Sequence, residues 1–119
     1  RTRVLRSTYL IGNEMTAFLA QLVIDPSKRE KFETAQTELR DLTYAHEPET
    51  PVYELIRSRD EPNTYYCVAT FSDEAAFEYH MSTEFHDRIV PDIIDCLVEE
   101  MDLTFYDIIG DPQKGFTRQ

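Results

Sequence analysis

Residues 16–24, Thr-Ala-Phe-Leu-Ala-Gln-Leu-Val-Ile, form an apolar run of strand length that stops at Asp25-Pro26, where the hydrophobic period changes. Both faces of that run are apolar, which predicts a strand covered on each side. Immediately afterwards Ser27 and Glu30 fit a capping box, in which each side chain satisfies a free backbone donor of the other. Phe32, Ala35, Leu39 and Leu42 then follow at helical spacing, with Lys28, Arg29, Lys31, Glu33 and Glu38 on the opposite face. The helix is expected to end near residues 43–45, ahead of Pro48. A strand that passes straight into an amphipathic helix needs further strands to pair with and a sheet for the helix to cover.

The rest of the chain supplies them. Residues 51–58 and 64–71 read as strands rich in β-formers, joined by the turn Arg59-Asp60-Glu61-Pro62-Asn63. Ser72 is placed to cap a short helix starting at Asp73. A second helical stretch over 83–99 carries Phe85, Ile89, Ile93 and Leu97 at steps of four, with Pro91 expected to kink or restart it. A last strand runs over 103–109 and is closed by Gly110-Asp111-Pro112. The order β-α-β-β-α-β predicts a ferredoxin-like α+β domain, an antiparallel four-stranded sheet with its helices on one face. Tyr53, Tyr66, Cys67, Phe105 and Tyr106 put apolar and aromatic surface on both faces of such a sheet, so the open face is expected to be covered by a second copy.

Composition narrows the function. The 119 residues fit one domain spanning 15–110, and seven Phe with seven Tyr argue against disorder. Twelve basic residues against 23 acidic ones, a net charge of −11, would repel a phosphate backbone or an anionic bilayer, so neither nucleic acid nor membrane is an expected partner. Two cysteines make no disulfide framework and no four-cysteine zinc site, and the cytoplasm is the default location. Three glycines leave no phosphate-cradling loop. The first fourteen residues stand apart: Arg1, Arg3 and Arg6 face only Glu14, and Met15 opens the strand pattern. This stretch reads as a basic leader or as an artificial extension, and residues 111–119 as a polar tail.

Four pieces in order resemble the antibiotic biosynthesis monooxygenase family. They are the first strand leading into Asp-Pro-Ser-Lys-Arg-Glu-Lys-Phe; Glu47-Pro48 ahead of Val52-Tyr53-Glu54-Leu55; Arg57 to Asn63 leading into Tyr65-Tyr66; and Phe71-Ser72-Asp73-Glu74-Ala75-Ala76-Phe77-Glu78-Tyr79-His80. The resemblance implies a homodimeric α+β barrel with a ligand pocket between sheet and helices in each protomer. It also implies one of several activities: cofactor-independent oxygenation of quinols or polyaromatics, haem degradation, or isomerisation of a phosphorylated sugar. The chain departs from the pattern in having no Trp, with Phe71 where many oxygenases carry one, and no Asn in the first strand, which argues against the haem-degrading branch. A second His expected five residues after the first falls instead on Glu84 or Phe85, leaving His86 out of register.

His80 is therefore the catalytic candidate, because imidazole titrates near neutrality and either nitrogen can serve as acid or base. Tyr53, Tyr66, Phe71 and Phe77 are the candidate substrate-binding residues, and of Tyr65 and Tyr66 only one can face the pocket. His80, Glu84 and Asp87 would share a face of one continuous helix, but Ser82-Thr83 is expected to interrupt it, so no metal and no cofactor are assigned. The reading is a small cofactor-independent monooxygenase acting on a quinol or polyaromatic. The alternatives are an isomerase of a small oxygenated metabolite, with Arg57, Arg59 and Arg88 available for a phosphate, or a non-catalytic dimer that binds a small ligand.

Overall fold

Asp25 and Pro26 end the first strand, though by a different route from the capping box the sequence suggests. The Asp25 carboxylate accepts from both the backbone N–H and the hydroxyl of Ser27, each at 2.9 Å. Those bonds start a 3-10 turn over Pro26–Lys28, so Ser27 is spent before it can cap, and the long helix begins at Arg29 with no side-chain cap. The computed structural model describes residues 15–110; the leader 1–14 and the tail 111–119 lie outside the described residues.

The elements are β1 (Thr16–Val23), α1 (Arg29–His46), β2 (Val52–Arg57), β3 (Thr64–Phe71), α2 (Glu74–Ser82), α3 (Glu84–Ile94) and β4 (Asp102–Asp107). The four strands form one antiparallel sheet in the order β2-β3-β1-β4, the ferredoxin-like arrangement, with the second helical region split in two. Asp73 rather than Ser72 caps α2, its carboxylate accepting from the Ala76 N–H at 2.8 Å. Helix α3 stops at Ile94, well short of residue 99. The chain after it is drawn into the sheet region, where Val98 donates to the Val23 carbonyl and Leu97 pairs with Ile24.

Directly opposed residues share a face, so the register sorts the side chains. Phe18, Ala20 and Leu22 of β1, Tyr65, Cys67, Ala69 and Phe71 of β3, Tyr53 of β2 and Leu103 of β4 lie under the helices and are buried. Helix α1 adds Phe32, Ala35 and Leu39 to that core, and α3 adds Phe85, Ile89 and Ile93. The opposite face holds Ala17, Leu19, Val23, Tyr66, Val68, Ile56 and Tyr106. No helix of the described residues covers it: Ile56 is 50% exposed and Tyr106 47%. β1 is thus buried on one side and half-buried on the other, where the sequence suggested two covered sides.

At the β2 edge, Arg40 of α1 grips Glu54 through two bonds of 3.0 Å. The Tyr44 hydroxyl donates to Glu54 and accepts from the Tyr53 N–H.

Candidate active site

Pro48 disfavours a helical conformation for the residue before it, and Glu47 leaves α1 in an extended backbone state (φ −126°, ψ 82°) with its N–H still bonded to the Thr43 carbonyl. The exit leaves the Glu47 carboxylate buried in the protein, only 3% exposed, where it meets His80 of α2, 1% exposed. Nδ1 of His80 lies 2.9 Å from Oε2 and 3.0 Å from Oε1 of Glu47, and the Thr50 hydroxyl donates to Oε1 at 3.1 Å. An ionised carboxylate has only acceptor oxygens, so Nδ1 carries the hydrogen and Nε2 is the nitrogen left for a ligand. This is the arrangement by which a carboxylate fixes the tautomer of a general base and stabilises the imidazolium that forms.

A break in the helix adds a second imidazole. Residues six apart on a straight helix would point about 120° away from each other, yet the His80 and His86 rings meet at 5.0 Å. Thr83 makes this possible. It is extended (φ −70°, ψ 151°), its hydroxyl donates to the His80 carbonyl at 3.1 Å, and the same oxygen accepts from the His86 N–H at 3.2 Å. Burial, and then the neighbouring His80, hold His86 below the usual histidine range. Near neutrality it is therefore an uncharged neighbour.

His80 and His86 line a cavity of about 140 Å³ between sheet and helices. Phe18, Ala20, Tyr53, Cys67 and Leu103 form its floor; Gln36 and Leu39 of α1, Phe77 and Met81 of α2, and Val90, Ile93 and Ile94 of α3 contribute walls. Its other polar station is a buried trio: Gln36, which donates to the Cys67 sulfur at 3.6 Å, Cys67 itself and the Tyr53 hydroxyl. Burial raises Tyr53 well above the usual phenol range and pushes the Cys67 thiol up to about 12. Tyr53 is thus a neutral hydrogen-bonding phenol, and Cys67 is no nucleophile.

Of the residues singled out from sequence, His80, Tyr53 and Phe77 come together on the cavity. Phe71 sits behind it, with ring centroids 5.6 Å from His80 and 5.5 Å from Phe77, so it supports the wall and is no part of the lining. Tyr66 is on the other face of the sheet, where its hydroxyl accepts from Gln21 at 3.1 Å. Placing it in the pocket is corrected by strand parity, which turns Tyr65 inward instead. Tyr65 itself packs on Phe32 and donates to Glu33. Glu84 and Asp87 are exposed, and among the described residues no three His, Cys, Asp or Glu side chains are grouped to hold a metal. Sequence reasoning missed Glu47, 33 residues from His80; the only local signal was a Glu held just outside the helix by Pro48. It also set His86 aside, because register along one helix cannot anticipate a break.

A ferredoxin-like domain with a buried, carboxylate-held histidine on an apolar cavity defines a small α+β class. The model of the antibiotic biosynthesis monooxygenase family matches residues 15–92, and the chain belongs to that family. No functionally curated protein matches it. Among solved structures, a candidate antibiotic biosynthesis monooxygenase from Caulobacter crescentus CB15 superposes with a TM-score of 0.82 at 22% identity, over 88% of this chain and 97% of that one. Another candidate, from Nitrosomonas europaea, gives 0.77 at 17% identity over 85% and 95%. A conserved protein from Methanosarcina mazei Go1 gives 0.76 at 19% identity over 80% and 93%. At these identities the likeness is one of fold.

Proposed function

We propose that the protein is a cofactor-independent monooxygenase whose substrate, a single-ring hydroquinone, supplies the electrons. The observation that carries this reading is the His80–Glu47 pair on an apolar cavity. Nε2 of His80 takes a phenolic proton, and Glu47 stabilises the imidazolium. The electron-rich phenolate adds dioxygen at the adjacent ring carbon, and the resulting peroxide anion takes the proton back from His80, forming a hydroperoxide. Nε2 then takes the proton on that carbon as the O–O bond cleaves, leaving a carbonyl there, and His80 passes this proton to the departing hydroxide, which leaves as water. Hydroquinone and dioxygen thus give hydroxyquinone and water, with four electrons drawn from the substrate and both oxygen atoms accounted for. Tyr53 and Gln36 supply hydrogen-bonding groups for a second substrate oxygen, and Phe77 and Phe18 pack against the ring.

Size favours a quinol over a polyaromatic, since a cavity of about 150 Å³ admits roughly one benzene ring. The phosphorylated-substrate alternative loses support. Arg88 is paired with Glu38 and Glu84, while Arg57 and Arg59 line a groove that shares no wall residue with the cavity. The same reading includes a second copy of the chain on the open sheet face, closing the barrel over Leu19, Val68, Ile56 and Tyr106.

An oxygen electrode with methylhydroquinone, chelator present, tests the activity. The expected result is protein-dependent uptake that falls about 100-fold or more in His80→Gln, a variant that keeps a donor for Glu47. Uptake no faster than autoxidation, or unchanged in the variant, overturns the proposal. Turnover of an oxygenated metabolite under nitrogen would point to the isomerase instead.

A further inference from the structure

Between the first half of α1 and the β2–β3 hairpin lies a second, larger groove of about 640 Å³, lined by Arg29, Glu33, Arg57, Arg59 and Tyr65. Three arginines and one carboxylate are among its lining residues. That carboxylate is already engaged: Glu33 accepts from Arg57 at 3.2 Å and from the Tyr65 hydroxyl. Arg29, half-buried at the start of α1, and exposed Arg59 make no ion pair among the described residues. Asp60 and Glu61 sit on the same hairpin but form no part of the lining.

The arrangement runs against the rest of the molecule. The chain has 23 acidic residues to 12 basic ones, and the other cations among the described residues have carboxylates at hand: Lys28 and Lys31 meet Asp95, Arg40 meets Glu54 and Asp41, and Arg88 meets Glu38. Gathering three like charges with one engaged counter-charge costs Coulomb energy. An acidic sequence has ample carboxylate to neutralise them, and here it does not. The deficit of about two negative charges matches a phosphate monoester, which carries about −1.5 to −2 near neutrality and whose oxygens suit the planar guanidinium fork.

We propose that this groove is a binding site for a small phosphate monoester, held by Arg29, Arg57 and Arg59. The site stands whether or not the His80 cavity is an oxygenase, because the two share no lining residue.

Isothermal titration of the purified protein with phenyl phosphate tests it, with inorganic phosphate and malonate as separate arms. The expected result is saturable one-site binding of phenyl phosphate that weakens as salt rises from about 0.05 M to about 0.5 M. Inorganic phosphate should bind more weakly, and malonate more weakly still. Arg29→Gln/Arg59→Gln, which leaves the Arg57–Glu33 pair in place, should raise Kd at least tenfold, whereas Arg88→Gln on α3 should leave it unchanged. Absence of saturable binding, equal binding in the double variant, or a preference for malonate overturns the assignment. Tighter binding of inorganic phosphate than of phenyl phosphate would identify the free ion as the ligand and overturn the ester.

Discussion

The two faces of the sheet are built from the same strands and have opposite fates. On β3 the inward residues Tyr65, Cys67, Ala69 and Phe71 are all almost fully buried, while Tyr66 and Val68 between them lie on the open side. The covered face gathers the chemistry: an oriented histidine, a buried carboxylate and a phenol around a small cavity. The open face carries apolar side chains, a Gln21–Tyr66 hydrogen bond, and at its β2 edge Glu54, held by Arg40 and Tyr44. Covering a sheet on one side thus creates two different environments, an enclosed polar-and-apolar cavity beneath the helices and an exposed, largely apolar surface opposite.

That contrast can be broken, first through stability. Removing the partner that hydrogen-bonds a buried carboxylate costs about 3–5 kcal/mol, because the carboxylate is left desolvated, whereas an exposed pair is worth about 0–1 kcal/mol. His80→Ala should therefore lower the free energy of urea unfolding by about 3–5 kcal/mol, and Arg88→Ala, at an exposed pair, by about 1 kcal/mol or less. Equal losses would erase the distinction. On the open face, Val68→Lys should abolish self-association in sedimentation velocity while leaving the circular dichroism spectrum intact. A wild-type protein that sediments as a monomer would instead show that this face needs no second copy.

Paired tyrosine variants sharpen the comparison further. Tyr53→Phe removes a hydroxyl from the cavity trio and should lower quinol turnover about tenfold, roughly one neutral hydrogen bond. Tyr66→Phe, on the other face, should leave turnover unchanged.

The smallest effect is one of pH. His86 sits below the ordinary histidine value because of burial and then His80, so the unfolded chain binds its proton more readily than the folded one. Its stabilising contribution is present above the unfolded value of about 6.5 and is lost as pH falls through the lowered folded value. Unfolding midpoints should decline across that window, and more shallowly in His86→Gln; an identical decline in both would remove His86 as the cause.

Much of the fold was legible because period and turn chemistry are local. The apolar run at 16–24, the helical spacing after it and the hairpin at 59–63 fixed element order and sheet type. Local reading failed where residues compete for one role. Asp25 took Ser27 from its expected partner Glu30, Asp73 displaced Ser72 as a cap, and the sheet claimed Leu97 and Val98 from the end of α3. His80, Tyr53 and Phe77 could be found by pattern. Glu47 could not, since its role depends on where the chain leaving α1 meets His80, 33 residues away, and the choice between Tyr65 and Tyr66 hangs on a one-residue parity that two adjacent tyrosines do not reveal.

The central claim is that Glu47 makes His80 an oriented base. Its most direct test is the rate of methylhydroquinone oxidation by Glu47→Gln, a near-isosteric change, measured alongside its unfolding free energy. The account expects turnover to fall at least 100-fold, by analogy with loss of an orienting carboxylate elsewhere, with most of the folding stability retained. Wild-type turnover in a folded Glu47→Gln protein would contradict it.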